Sequence, residues 1–142
     1  SRNTAPAIGA AAEVIISKDE NAIMLVMPSD HIIKNQQAFL SAIENARKVA
    51  EAGYIVAFAL NADRPEIGYG YIKKGRAVSL SKSIFEVEKF VEKPNKLQAE
   101  KFVKSGQYAW NSGIYLFRAD ALLRELSHFH PDISNSVKED VP

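Results

Sequence analysis

Residues Ala22 to Met27 form a short, unbroken apolar run, and Pro28 ends it. Such a run, bounded by a turn signal, suits a strand buried on both faces of a parallel sheet. Proline has no N–H to give to a ladder, so the strand stops there. A second continuous apolar run spans Tyr54 to Leu60. Between the two, Phe39, Ala42, Ile43, Ala46, Val49 and Ala50 fall on one side of a helix that Asn35 can cap and Gly53 can close. Strand, helix, strand at this spacing predicts a βαβ crossover. The two strands are expected to be central, parallel, and adjacent or nearly so.

The flanking segments add helices and a change of character. Thr4 reads as an N-cap with Pro6 in the first turn, and Ala5 to Ile16 carries Ile8, Ala11, Ala12 and Ile15 on one face. Beyond Leu60, Asn61 to Pro65 is a loop. Tyr69 to Lys74 and Phe85 to Val91 alternate in the manner of antiparallel edge strands, with Gly75-Arg76 as a turn region. Asn95 can cap a short helix carrying Leu97, Phe102 and Val103, closed by Gly106. Tyr108 to Phe117 reads as a strand interrupted by Asn111-Ser112-Gly113. Asp120 to Leu126 reads as a last helix, and the polar tail from Pro131 as frayed. The fold class is α/β, with a mixed, mostly parallel sheet flanked by helices.

The totals exclude several classes. At 142 residues the chain can hold one domain with a real core. Lysine plus arginine number 18 against 17 acidic residues, which gives no bulk attraction to nucleic acid or to a membrane surface. No apolar run approaches the ~20 residues of a membrane span. With no cysteine, disulfides and thiolate metal sites are excluded and a reducing cytoplasm is the default. No basic, apolar leader is visible, and Ser1 in place of an initiator methionine points to an excised piece of a longer chain.

Several short stretches could carry chemistry, each with a plain alternative. Asp30 follows the Pro28 strand stop, at the carboxyl end of a strand, where ligands of open α/β sheets bind. It is either a loop-capping residue or a metal ligand. Glu92-Lys93-Pro94 closes a strand in a similar way: glutamate can accept from hydroxyls and lysine can meet phosphate, yet both are common on surfaces. The glycines of Gly68-Tyr69-Gly70-Tyr71 permit either a turn or a close backbone approach by a ligand. Trp110-Asn111-Ser112-Gly113 places polar residues inside an apolar strand, as a bulge or as a ligand-facing break. Asn3 and Thr4 precede a helix start, where free N–H groups can meet an anion or simply be capped. His128 and His130 suggest a surface helix end rather than a metal pair, and His31 an orienting neighbour of Asp30.

Taken in order, Arg2-Asn3-Thr4-Ala5-Pro6, Pro28-Ser29-Asp30-His31, Pro65-Glu66-Ile67-Gly68-Tyr69-Gly70-Tyr71-Ile72, Phe90-Val91-Glu92-Lys93-Pro94 and Trp110-Asn111-Ser112-Gly113 resemble the bacterial mannose-1-phosphate guanylyltransferases, the GDP-mannose pyrophosphorylases. The resemblance covers nearly the whole chain. It implies a Rossmann-like nucleotidyltransferase fold, the nucleotide-diphospho-sugar transferase type. It also implies a reaction in which GTP and mannose 1-phosphate give GDP-mannose and pyrophosphate with Mg²⁺. By the same resemblance Asp30 is a magnesium ligand and, with Lys93, a catalytic residue. Gly70 approaches the sugar through its backbone, Glu92 and Asn111 hold mannose hydroxyls, and Lys93 neutralises the sugar phosphate. Asn3 and Thr4 lie near the nucleoside.

Ser1 and Ile67 depart from the family's usual glycine and threonine. The family's N-terminal glycine-rich loop and second metal-binding aspartate are not in this sequence. Residues 1–142 are therefore expected to form one partial nucleotidyltransferase domain, inactive alone. A homo-oligomer of the full-length protein is left open. The competing reading is a catalytically silent, nucleotidyltransferase-like regulatory or sugar-nucleotide-binding subunit. The presence of Asp30, Glu92, Lys93 and Asn111 together argues against it.

Overall fold

Local signals set the helix ends. In the computed structural model, which describes residues 4–78 and 83–140, helix α1 covers Thr4–Ile16, strand β1 Ile23–Val26 and helix α2 Gln36–Glu51. The Asn35 side chain accepts from the Ala38 backbone N–H at 2.9 Å and starts α2. The helix stops at Ala52, and Gly53 follows with a φ of +94°. Then come β2 (Val56–Asn61), β3 (Tyr71–Ala77), β4 (Phe85–Val91), α3 (Lys96–Ser105), β5 (Tyr108–Arg118), α4 (Ala119–Phe129) and α5 (Pro131–Asp140). Helix α3 has a full capping box, Asn95 with Gln98, and ends on Gly106 at φ +65°.

The strands form a five-stranded sheet in the order β1-β5-β3-β4, with β2 also on β5. The chain divides into two compact units, residues 1–56 with 115–142 and residues 57–114.

In the first unit, β1 pairs antiparallel with the end of β5, from Ile23 opposite Arg118 to Val26 opposite Tyr115. Alternation along both strands puts Met24 and its partner Phe117 on one face. There they build a core with Ala12 and Ala119, and Ile8, Ile15, Leu122 and Leu123 pack against it. Helices α1, α4 and α5 pack together. A Cβ at Gly9 on α1 would lie 3.0 Å from Leu126 Cδ1 and 3.3 Å from Val137 Cγ2, so the missing side chain permits the close approach. At the start of α4, Asp120 takes Arg118 at 2.8 and 2.9 Å and Arg124 at 2.6 Å.

In the second unit, β3 and β4 pair antiparallel, Tyr71 opposite Val91 and Ile72 opposite Phe90. The other edge of β3 pairs antiparallel with the start of β5, Tyr71 opposite Trp110 and Ile72 opposite Ala109. Tyr71 is fully buried with Ala99 and Trp110.

Several expectations need correction. The strands β1 and β2 each pair with β5 rather than with each other. All three ladders with a described register are antiparallel, so the sheet is mixed α/β but not mostly parallel there. The apolar runs are also not buried on both faces. Leu25 and Met27 are each 39% exposed, and Tyr54, Ile55 and Leu60 are exposed as well. Gly75-Arg76 is no turn: β3 continues to Ala77, and Val78 N–H donates to Ile84 O at 2.8 Å. The tail is not frayed, since α5 starts at Pro131 and buries Ser134 and Val137.

Candidate functional site

The register of three strands assembles the site. Tyr71 faces Val91 on one side and Trp110 on the other. One step earlier along β3, Gly70 therefore stands between Glu92 and Asn111. The Asn111 N–H donates to Gly70 O at 2.8 Å, which fixes that step. Side chains alternate across a strand, so Glu92, Gly70 and Asn111 share one face, and Tyr71, Val91 and Trp110 share the other. A Cβ built on Gly70 would lie 3.0 Å from Glu92 Oε2, 2.9 Å from Phe90 Cζ and 3.5 Å from Asn111 Cβ. Gly70 is buried, and the Phe90 and Glu92 side-chain tips lie over it where a larger residue would put its own side chain. A carboxylate stands on one side of the glycine and an amide on the other. Together they offer acceptors and a donor pair to a polyhydroxylated ligand.

Lys93 follows Glu92 in an unusual conformation, with φ at +42°. A non-glycine residue in the left-handed region is strained by roughly 1–2 kcal/mol, and such strain clusters at functional sites. Its side chain is exposed, and Pro94 behind it is buried and anchors the corner.

Asn111-Ser112-Gly113 is an irregularity whose polar atoms are employed. Gly113 has φ +73°, and its N–H donates to Asn111 Oδ1 at 3.3 Å. The Ser112 hydroxyl, buried at 6% exposure, donates to Phe58 O on β2 at 2.6 Å and accepts from Ile114 N–H. The bond to Gly113 orients the Asn111 amide, and Ser112 secures the strand beneath it.

On the opposite face, the loop before Gly70 is clamped to Trp110. The Arg64 guanidinium lies 5.0 Å from the Trp110 ring centre, and the Tyr69 ring meets it edge-on at 5.3 Å. Arg64 bonds Glu66 at 2.7 Å and Asp63 at 3.2 Å. The bond to Glu66 pushes the guanidinium pKa above its ordinary value, against a smaller opposing effect of burial, with Asp63 adding to the rise. The Tyr71 hydroxyl donates to Glu66 O at 2.8 Å. Arg64 escapes sequence reasoning because its loop reads as a plain connection; the usable signals are the single tryptophan of the chain and an arginine shortly before the glycines.

The other expected residues belong to the first compact unit or fall outside the described residues. Asp30 belongs to the first compact unit and sits in an exposed turn. Thr4 is the exposed first residue of α1, and Asn3 lies outside the described residues. Among the described residues no group of three histidine, cysteine or acidic side chains gathers to hold a metal ion. Asp30 can supply one carboxylate, which fits a magnesium ion whose other ligands are waters and substrate phosphates and does not fit a cage made of protein alone. His128 and His130 are exposed at the end of α4, as a surface helix end requires. Among the described residues no helix is long and apolar enough to cross a membrane.

Residues 1–141 match the nucleotidyl transferase family. The chain belongs to that family. An Escherichia coli mannose-1-phosphate guanylyltransferase is 46% identical over 144 aligned residues, covering 99% of this chain and 31% of that protein. The alginate biosynthesis protein AlgA of Pseudomonas fluorescens is 46% identical over 132 residues, covering 93% of this chain and 27% of its own length. The chain thus spans about a third of the length of these relatives. A Helicobacter pylori structure named mannose-6-phosphate isomerase superposes with a TM-score of 0.82 at 36% identity, covering 97% of this chain and 50% of that one. A Thermus thermophilus structure named mannose-1-phosphate geranyltransferase gives 0.83 at 32% identity, covering 98% and 40%. Family and fold both agree with the nucleotidyltransferase reading of the sequence.

Proposed function

We propose that this chain supplies the sugar-phosphate side of an enzyme that makes GDP-mannose and pyrophosphate from GTP and mannose 1-phosphate. The observation that carries the reading is the row Glu92–Gly70–Asn111, a carboxylate and an oriented amide on one face of the sheet on either side of a glycine. The relatives' names supply the sugar phosphate and the guanylyl group. In the reaction a phosphate oxygen of the sugar phosphate attacks the α-phosphorus of GTP, and the bond to pyrophosphate breaks. Glu92 accepts from mannose hydroxyls, Asn111 donates to and accepts from them, and Gly70 lets the ring approach the backbone. Lys93 sets an ammonium against the sugar phosphate and offsets the charge that repels a second phosphate. We assign Asn3 and Thr4 to contacts with the nucleoside. Asp30 and the substrate phosphates would hold Mg²⁺, which supplies charge neutralisation when bound. Such chemistry is mostly orientation, worth roughly 7–11 kcal/mol of a barrier. A cytoplasmic enzyme fits a chain with no cysteine.

The test is a titration of ¹⁵N-labelled chain with mannose 1-phosphate, with mannose 6-phosphate and inorganic phosphate as comparisons. Amide shifts at Gly70, Glu92 and Asn111 that saturate only with mannose 1-phosphate are expected. Equal response to inorganic phosphate, or shifts that survive Glu92→Gln with Asn111→Ala, would overturn the assignment.

A further inference from the structure

The row depends on where Gly70 sits, and Gly70 is flanked by Tyr69 and Tyr71, both tied to the far face of the sheet. Tyr71 is fully buried opposite Trp110, and its hydroxyl holds Glu66 O at 2.8 Å. Tyr69, 46% exposed, touches the indole edge-on. The indole is 7% exposed, and its Nε1 has no acceptor among the described residues. A buried indole without a hydrogen bond is held by contacts alone. The cationic contact on its face is Arg64, a planar fork pinned in turn by Glu66 and Asp63. One side chain thus joins Asp63 and Glu66 of the loop to the strand that carries Asn111.

Resting on the proposed sugar-phosphate reading, we propose that Arg64 is a positioning residue. By lying on Trp110 while bonded to Glu66 and Asp63, it fixes the entry of β3 so that Gly70 seats between Glu92 and Asn111. It touches no substrate, since it works from the face opposite the row. Lysine cannot replace it, because an ammonium has neither the flat surface nor the fork.

The test uses the chain's only tryptophan as a probe, in wild type, Arg64→Ala and Arg64→Lys. A control for the loss of a surface cation is Arg76→Ala, which removes an exposed ion pair with Glu86. Removing Arg64 is expected to move the single indole N–H resonance and to raise acrylamide quenching of Trp110. The Gly70 and Asn111 amide resonances on the opposite face should move too. The dissociation constant for mannose 1-phosphate should rise about two- to fivefold, the size of an exposed cation–π contact, and Arg64→Lys should restore less than half of the loss. Arg76→Ala should leave the affinity unchanged.

If the indole responds while Gly70 and Asn111 do not, Arg64 is a surface contact and the proposal falls. It falls equally if affinity is unchanged in Arg64→Ala. If the wild type binds no mannose 1-phosphate, the sugar-phosphate reading fails instead. The Gly70 and Asn111 resonances of the ligand-free variants still decide whether Arg64 positions them.

Discussion

Gly70→Ala separates a ligand site from a structural glycine. The added methyl would stand 2.9 Å from Phe90 Cζ and 3.0 Å from Glu92 Oε2, both closer than van der Waals contact. Overpacking usually costs about 1–3 kcal/mol. The low end applies here, because both atoms are the tips of exposed side chains, Phe90 at 46% exposure, and can swing away. Gly70 has no positive φ, so alanine adds no backbone strain there. Alanine also restricts the unfolded chain, which returns about 0.4–1 kcal/mol. The net change in folding stability is therefore within about 1 kcal/mol of zero.

Binding should respond differently. The methyl displaces the Glu92 carboxylate from its place over Gly70. A hydrogen bond from a hydroxyl to a charged carboxylate contributes about 1.5–3 kcal/mol, so its loss means a roughly tenfold to hundredfold weaker affinity. Urea unfolding followed by Trp110 fluorescence gives the first quantity, and calorimetric titration with mannose 1-phosphate the second. Unchanged affinity would refute the row as a ligand site. A stability loss above about 3 kcal/mol would show that Gly70 is there for packing.

Other outcomes follow from the same geometry. Lys93→Gly should raise stability by about 0.5–1 kcal/mol, the relief of left-handed strain less the added freedom of glycine, while weakening mannose 1-phosphate binding; lower stability in a urea melt would count against strain at that corner. Ser112→Ala removes the 2.6 Å bond to Phe58 O and should cost about 1–2 kcal/mol by chemical denaturation. Burial raises the Asp120 pKa, but bonds from Arg118 and the charges of Arg124 and Arg118 outweigh it and hold the carboxyl below its ordinary value. That stabilisation is present above about pH 4 and is lost as pH falls through the lower folded value. Asp120→Asn should therefore flatten the acid limb of a stability–pH curve, and an unchanged limb would refute the pairing. The chain alone, with no three-carboxylate cluster among its described residues and spanning 31% of a relative, should release no measurable pyrophosphate from GTP and mannose 1-phosphate; turnover near 1 s⁻¹ would overturn the roles given to Asp30 and Lys93.

Much of the local structure was legible because its causes are local. Asn35, Asn95 and Gly106 act within one turn of their own helices, and each does what its side chain or its freedom dictates. Strand partnership is not local. The apolar continuity of Ala22 to Met27 says that the strand is sheltered, not by what, and β5 reaches it from a segment far later in the chain. Nothing in either run announces that β5 pairs with both β1 and β2. Gly75 misleads for a different reason. A Cβ there would lie 3.1 Å from Glu86 O, so glycine serves a close crossing within a ladder rather than a turn. The tail misleads because its composition is polar, while Val137, which packs against Gly9, needs only one helix stripe to be buried.

The candidate site shows the same division at smaller scale. Residue types carry chemistry that can be named from the sequence: a carboxylate, an ammonium, an amide and a glycine, each at a strand end or break. Their meeting depends on register, and a slip of one residue would turn every one of them to the other face. The register here is set by residues with no chemical part in the row. Tyr71 lies between Val91 and Trp110, Ser112 ties β5 to β2, and Gly113 bends the strand so that its N–H reaches Asn111. Arg64 joins this group from the opposite face. The glycine at the centre of the row is then the residue over which only movable side-chain tips, those of Phe90 and Glu92, lie. Its substitution should be felt by a ligand before it is felt by the fold.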